Sequence, residues 1–232
     1  GIEVACAAFS VLDGSVTAET LARDGEDAAP GATLAVVTGP ARPILSAERT
    51  ALNLLGRLCG VATATRDIVV AVAGQPAKVV CTRKTTPGLR ALEKYAVRAG
   101  GGANHRYGLD DAVLIKDNHL ALAGSIQTAV ARVREALGHM VKIEVEVESI
   151  TQLREAMLVD VDAVLLDNMP LDSLRQAVAL VDRRAVTEAS GGITADTAAT
   201  VAATGVDLLS VGWITHSSPA LDVALELDAA DG

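Results

Sequence analysis

The sequence predicts an α/β protein: an incomplete (open) β/α barrel with a smaller N-terminal α+β sandwich-like domain. Strand-like apolar runs alternate with helix-like segments, and Glu146, Asp167 and Glu188 follow one another at intervals of 21 residues. Such spacing is typical of consecutive strand–helix units in a barrel. Six strands are well marked from Lys78 onward, with a weaker seventh near residues 103–106. Because a closed barrel needs about eight strands, we expect this one to stay open.

Composition narrows the class of protein. Half of the 232 residues are hydrophobic but only 2% are aromatic, so the core has to be built from aliphatic side chains. The net charge of −9 argues against nucleic acid or an acidic membrane surface as the main partner. The sequence has three cysteines, and their spacing is not that of a metal site. It shows no apolar run of about 18 residues and no visible signal peptide. These observations favour a cytoplasmic location.

Residues 1–60 are expected to form the N-terminal domain. Gly and Pro punctuate three strand-like segments there, namely Ala7–Leu12, Thr33–Thr38 and Arg42–Leu45. A helix is then expected to begin with Ser46 as its cap, and Gly60 to end or bend it before a second helical stretch over 62–72. Judged by its local sequence alone, Arg49 in this helix is a surface arginine.

Cations cluster after the strand-like runs of the barrel. Arg83 and Lys84 follow the run Lys78–Cys81, and Lys116 follows Ala112–Ile115. His105 and Arg106 lie between these two runs. Barrels place their chemistry at the carboxyl ends of strands, so these side chains are expected to meet. Arginine binds carboxylates through two hydrogen bonds, which suits a substrate with several carboxylates.

A helix after Pro87 and Gly88 carries further cations. Leu89, Leu92, Tyr95 and Ala96 share one face of this helix, and that face is expected to be buried. A solvated helix surface is the expected environment of Arg90, Lys94 and Arg98.

Acidic residues and glycines end the later strands. Apolar and acidic residues alternate strictly over Lys142–Glu148, and Asp167 ends the next apolar run. Glu146 and Asp167 therefore offer hard oxygen ligands that fit Mg²⁺ held mainly through a phosphorylated substrate. Glycine N–H groups before a helix favour a phosphate. Residues of this type are Ser190, Gly191, Gly192 and Gly212.

The motifs together resemble quinolinate phosphoribosyltransferase, also called carboxylating nicotinate-nucleotide pyrophosphorylase. The most specific block includes Thr82-Arg-Lys-Thr85, His105-Arg106 and Leu114-Ile-Lys-Asp-Asn-His119. The resemblance continues to Thr215-His216 and covers nearly the whole chain. It implies transfer of a phosphoribosyl group from phosphoribosyl pyrophosphate to quinolinate with decarboxylation, in NAD biosynthesis. The products are nicotinate mononucleotide, pyrophosphate and CO₂, and the implied cofactor is Mg²⁺.

The resemblance also implies roles for single residues. Quinolinate would be bound by Arg83, His105, Arg106 and Lys116, with Arg49 donated by the neighbouring subunit of a homodimer or higher homo-oligomer. Catalysis on the side of phosphoribosyl pyrophosphate would involve Lys84, Lys116, Glu146 and Asp167, the last two also serving the metal. The 5′-phosphate would be held by Ser190, Gly191, Gly192 and Gly212.

The domain organisation follows from the same resemblance. The barrel is expected over residues 61–217, with a tail over 218–232 that packs on the N-terminal domain. Relative to the family, the N-terminal domain is expected to lack its usual first helix and strands.

Other functions stay open at this point. A Schiff-base barrel lyase would use Lys84 or Lys116 as its nucleophile, and borohydride trapping would reveal it. A paralogous phosphoribosyltransferase-like protein of a molybdate-transport operon would share the fold and use another base. A non-catalytic anion-binding protein would explain the cations but not the acidic pair.

Overall fold

A computed structural model describes residues 1–228 and divides their hydrophobic core into two clusters along one long helix. The N-terminal part contains α1 (Ile2–Leu12) and an antiparallel pair of strands, β1 (Thr17–Thr20) and β2 (Ala35–Thr38). The helix α2 (Ala41–Ala71) follows. The smaller cluster lies between these elements and consists of Ile2, Ala5, Phe9, Val16, Ile44, Ala47, Ala51 and Leu55.

Two of the three strands expected near the N-terminus are wrong. Residues 7–12 belong to α1, where Ile2, Ala5 and Phe9 recur at helical spacing and are buried. Residues 42–45 form the start of α2. The third expectation is confirmed over Ala35–Thr38, whereas β1 was not foreseen.

The helix α2 begins earlier and runs further than expected. Ser46 does not cap it, because its hydroxyl donates to the carbonyl of Arg42 at 2.8 Å inside the helix. Gly60 neither ends nor bends the helix into two segments. A Cβ at Gly60 would instead overlap the carbonyl oxygen of Pro219, and one at Gly56 would lie 2.6 Å from that of Leu221. Both glycines thus let residues 219–221 lie directly on the helix.

Strands and helices alternate through the remainder of the described chain. They are β3 (Lys78–Val80), α3 (Arg90–Ala99), β4 (Val113–Ile115), α4 (Asp117–Ala123), α5 (Ile126–Ala136), β5 (Ile143–Val147), α6 (Ile150–Ala156), β6 (Ala163–Asp167), α7 (Leu171–Val181), β7 (Val186–Ser190), α8 (Ala195–Ala202), β8 (Leu208–Ser210) and α9 (Trp213–His216). Among residues 1–228, this matches the strand–helix repeat on which the barrel was predicted.

The incomplete barrel is confirmed. Six parallel strands lie in the order β3-β8-β7-β6-β5-β4. On its other side β3 makes one parallel bridge, between Val80 and Ala103. In the described chain, the weak seventh strand predicted near residues 103–106 consists of this single bridge. Within the described chain no ladder joins Ala103 to β4, so the barrel is open at that point.

Strand alternation separates an apolar face from a polar lumen. Ile143, Val145 and Val147 point into the larger cluster beneath the helices. Glu144 and Glu146 point the other way, into the lumen. The parallel register sets Glu146 beside Leu165 and Leu165 beside Glu188, so the lumen receives acidic residues from β5 and β7, the two strands that flank β6.

The last described residues return to the N-terminal part. Val223 and Leu225 pack on the smaller cluster, while residues 229–232 of the predicted tail lie outside the described chain. The boundary proposed at residue 60 falls within the continuous helix α2, so the domain limits stay a prediction. In the described part of the chain, no helix combines the length and apolarity needed to cross a membrane.

Gly60→Ala is expected to destabilise the protein. Helix propensity alone would favour Ala by about 1 kcal/mol, but the new methyl group would overlap the Pro219 carbonyl, and overpacking costs roughly 1–3 kcal/mol. The measurement is the free energy of unfolding in urea, compared with Gly14→Ala, where a Cβ meets nothing within 4 Å. A more stable Gly60→Ala protein would contradict the packing of residues 219–221 on α2.

Candidate active site

The carboxyl ends of the strands bring the predicted cations to one end of the barrel. Arg83 and Lys84 follow β3, and Lys116 follows β4. His105 and Arg106 follow the Ala103 bridge beside β3. Because all these strands are parallel, their ends share one edge, which we call the mouth.

The guanidinium of Arg83 lies close enough to that of Arg106 at the mouth to perturb it. Burial, and next the charge of Arg83, lower the pKa of Arg106, while Glu144 and Asp111 act in the opposite direction. The guanidinium of Arg106 donates a hydrogen bond to the carbonyl of Ala112 at 2.9 Å. The Nε atom of Arg83 is buried and has no hydrogen-bond partner among residues 1–228. Two like charges, one of which has an unpaired donor, are stabilised by an anion.

The acidic residues at the mouth are already engaged by neighbours. Lys116 forms an ion pair with Glu146, and their side chains are 45% and 11% exposed. The carboxylate of Asp167 accepts a hydrogen bond of 2.7 Å from the amide of Asn168. Both acids lie on adjacent strands, facing the lumen. They therefore place negative charge at the mouth.

His105 connects the mouth to two buried carboxylates. Its Nε2 lies 2.9 Å from Glu144 and 3.6 Å from Glu188. Its Nδ1 accepts a hydrogen bond of 2.8 Å from the backbone N–H of Arg106. Burial lowers the pKa of His105, but the hydrogen bond to Glu144 and the charges of Glu188 and Glu144 outweigh it and raise the pKa. Glu144 and Glu188 were not among the predicted site residues.

The glycine-rich positions form a second part of the mouth. Gly191 and Gly192, after β7, have φ angles of 104° and 60°, a region that favours glycine. A Cβ at Gly191 would overlap the side chain of Asn168. The Lys84 side chain passes over Gly212, where a Cβ would lie 3.2 Å from its Cδ. The register pairs Ser190 with both Asp167 and Ser210.

Arg49 lies away from this cluster, in the part of α2 that belongs to the N-terminal domain. Its guanidinium pairs with the adjacent Glu48 and its side chain is 73% exposed. The geometry of a single chain thus agrees with the surface arginine that the local sequence suggests.

A buried ion pair supports the loop that carries Arg83 and Lys84. Glu93 has no exposed surface and accepts hydrogen bonds from Arg57, at 2.8 and 3.1 Å. It also accepts from the backbone N–H of Thr86 at 2.9 Å and from its hydroxyl at 2.7 Å. Arg57 donates in addition to the carbonyls of Thr215 and Ser218. Sequence reasoning missed this pair, because its members are 36 residues apart.

Lys94 is a correction to the expected solvated helix face. It is 2% exposed, and its Nζ contacts Cys81 Sγ at 3.1 Å and the carbonyl of His105 at 2.9 Å. The helix α3 buries Glu93, Lys94, Ala96 and Val97, whereas Tyr95 is 46% exposed. The buried face of α3 contacts polar groups at the strand ends, so polar residues belong to it. The spacing of apolar residues alone therefore predicted the wrong face. The expectation holds for Arg98, which is exposed, but Arg90 is half-buried and bonds Thr85 and Tyr107.

Comparisons with known proteins agree along nearly the whole described chain. A family model described as quinolinate phosphoribosyl transferase, C-terminal domain, matches residues 61–226, and its N-terminal counterpart matches residues 1–59. A probable nicotinate-nucleotide pyrophosphorylase (carboxylating) of Bacillus subtilis is 48% identical over 219 residues, covering 94% of this chain and 76% of that protein. The nicotinate-nucleotide pyrophosphorylase (carboxylating) of Mycobacterium leprae is 49% identical over 207 residues, or 88% and 72% of the two chains.

A solved structure shows the same agreement in three dimensions. The crystal structure of NadC from Streptococcus pyogenes superposes with a TM-score of 0.91 at 41% identity. The match covers 96% of this chain and 79% of the other.

Arg57→Ala is expected to lower the free energy of unfolding by about 3 kcal/mol, because it leaves the buried Glu93 carboxylate without its cation. The control is Arg175→Ala, whose ion pair with Asp172 is exposed and whose loss should change stability by less than about 1 kcal/mol. Urea unfolding measures both. Equal stabilities for the two variants would show that Glu93 does not depend on Arg57.

Proposed function

The chain belongs to the quinolinate phosphoribosyltransferase family, and we propose how the residues at its mouth carry out the family's reaction. The protein transfers the phosphoribosyl group of phosphoribosyl pyrophosphate to quinolinate and releases CO₂, forming nicotinate mononucleotide and pyrophosphate. The relatives reported above give no support for a Schiff-base lyase or for a paralogue acting on another base.

The observation that carries the assignment is the pairing of Arg83 with Arg106. Quinolinate has two adjacent carboxylates, and two guanidinium groups with an unpaired buried Nε match that charge distribution. Lys116 lies at the next strand end and adds a third cation. We therefore assign the quinolinate site to this group, with His105 behind it.

The acids and lysines serve the phosphoribosyl side. When pyrophosphate leaves ribose C1, positive charge develops on the ribose ring, and Glu146 and Asp167 would stabilise it. Lys84 and Lys116 would stabilise the negative charge on the departing oxygens. Gly191, Gly192 and Gly212, with Ser190, would hold the 5′-phosphate through backbone N–H groups. The pyridine nitrogen of quinolinate then attacks C1.

Decarboxylation follows from the charge that this attack creates. The pyridine nitrogen becomes positive once it is bonded to the ribose, so the C2–carboxylate bond can break with its electron pair left on C2. Arg83 and Arg106 stabilise negative charge at that point. One proton then replaces the carboxylate at C2, which balances the release of CO₂.

Glu146 and Asp167 would hold Mg²⁺. Their carboxylates are hard oxygen ligands, and they fit a metal that takes most of its ligands from water and a diphosphate. Glu146 is paired with Lys116 and Asp167 with Asn168, so the protein offers few free oxygens. When bound, Mg²⁺ supplies neutralisation of the negative charge on the pyrophosphate leaving group.

The reaction itself is the first test. Protein, quinolinate labelled in the C2 carboxylate, phosphoribosyl pyrophosphate and Mg²⁺ should release labelled CO₂ and form equal amounts of nicotinate mononucleotide. Chelation of Mg²⁺ should suppress both products. No CO₂ under these conditions would contradict the function, and an undiminished rate after chelation would contradict the metal role alone.

Arg106→Ala should weaken quinolinate binding by about 1.5–3 kcal/mol, the range for a hydrogen bond to a charged group. Binding of phosphoribosyl pyrophosphate should change much less. Calorimetry with each substrate separates the two effects. Arg98→Ala, an exposed arginine on α3, controls for the loss of one positive charge. Unchanged quinolinate affinity in Arg106→Ala would remove Arg106 from the site.

We also propose a homodimer in which Arg49 enters the partner's site. The support is the family resemblance together with the exposure of Arg49 in a single chain. Arg49→Ala and Lys116→Ala proteins should each be nearly inactive. When co-expressed, a mixed dimer holds one site with both residues intact, so activity should return to about half per mixed dimer.

Each parent expressed and purified alone is the control for this mixing experiment. Verified mixed dimers that stay as inactive as both parents would contradict the shared site. A fully active Arg49→Ala protein would leave Arg49 as a surface residue.

A further inference from the structure

A buried cluster beneath the mouth contains two carboxylates that have no role in the steps above. Its members are His105, Glu144 and Glu188, and one polar atom of each lies within 4.8 Å of the others. Glu188 is 1% exposed and Glu144 is 7% exposed. Two carboxylates in such a setting cannot both ionise without a large electrostatic cost. The cluster therefore needs a compensating cation or proton.

The hydrogen bonds of His105 favour a proton over a metal ion. A ring whose Nδ1 accepts from the backbone N–H of Arg106 carries its hydrogen on Nε2. That Nε2–H donates to Glu144 at 2.9 Å and has no lone pair left for a metal. The contact at Nδ1 also opposes a second proton on the ring.

Two oxygen atoms indicate where the proton resides. Oε1 of Glu144 and Oε1 of Glu188 are buried and have no hydrogen-bond partner in the described part of the chain. A proton on Glu188 converts one of these acceptors into a donor and removes one of the two negative charges. One oxygen of the neighbouring Glu144 carboxylate lies within 4.8 Å of an oxygen of Glu188.

The groups around Glu188 come from several elements. Glu144 lies on β5, His105 follows the Ala103 bridge, Ser210 lies on β8 and Lys116 follows β4. Burial, and then the charge of Glu144, raise the pKa of Glu188 to about 7 against the opposing effects of His105, Ser210 and Lys116. The raised pKa of His105 reflects the same extra proton, because the groups titrate together. The hydrogen bond at Nδ1 assigns that proton to Glu188.

We propose that Glu188 carries a proton in the active protein. This proton removes one negative charge from beneath the quinolinate site, so that the site can bind a doubly negative substrate. Glu188 is then a specificity-determining residue that acts through charge and does not contact quinolinate. With Glu188 ionised, one more negative charge lies beneath Arg106 and His105, and the site binds dicarboxylates less well. This inference rests on the assignment of the quinolinate site made above.

The experiment measures quinolinate binding by calorimetry between pH 6 and 8. If only the protonated form binds, a pKa of about 7 makes the dissociation constant rise about tenfold over this range in the native protein. Glu188→Gln, which mimics the protonated side chain, should bind at every pH as the native protein does at pH 6. Glu148→Gln removes an exposed carboxylate after the same strand as Glu144 and should keep the native pH dependence.

Two results would overturn the proposal. One is a Glu188→Gln protein that keeps the tenfold change, and the other is one that already binds quinolinate more weakly at pH 6. If the variant fails to fold, ¹³C resonances of labelled glutamate carboxyls in the native protein decide the matter. One carboxyl titrating near pH 7 supports the proposal, and none titrating above about pH 5.5 contradicts it.

The carboxyl titration needs no substrate, so its failure is distinct from failure of the function. A protein that forms nicotinate mononucleotide at pH 6 but has no glutamate titrating near pH 7 would keep its function and lose this role of Glu188. A protein with the titration but without product would lose the function instead.

Discussion

The buried carboxylate of Glu93 is the contact on which the arrangement of the mouth depends. A carboxylate without solvent is stable only when cations and hydrogen-bond donors surround it. Arg57 of α2 and Thr86 of the loop after β3 supply these donors. Arg57 also binds the carbonyls of Thr215 and Ser218. One charged group thus fixes the long helix, the loop with Arg83 and Lys84, and the C-terminal segment together.

Some charged groups at the mouth are paired with one another and others are not. Lys116 and Glu146 neutralise each other at the ends of neighbouring strands, and His105 bonds Glu144 beneath them. Among the described residues, Arg83 and Arg106 have no such carboxylate partner. An anionic substrate therefore finds its strongest attraction at these two groups. The acids nearby are positioned for the positive charge that develops on the ribose.

Much of the fold was predictable from the sequence because strand–helix units recur at regular intervals along it. The spacing of Glu146, Asp167 and Glu188 identified parallel strands, and the alternation over residues 142–148 identified which face meets the lumen. The first helix was mistaken for a strand, because its short Ala-rich run carries little information about period. Lys94 was misplaced, because its partners, Cys81 and the His105 carbonyl, come from other elements. The buried cluster of Glu144 and Glu188 depends on register, which local patterns do not contain.

The most direct test of the central claim is a crystal structure of the protein with quinolinate bound. The two carboxylates should lie between the guanidinium groups of Arg83 and Arg106, with at least one oxygen within hydrogen-bond distance of Arg83 Nε. The pyridine nitrogen should face the side of the mouth that holds Glu146 and Asp167. Quinolinate bound elsewhere, or at the mouth without contact to either arginine, would contradict the account.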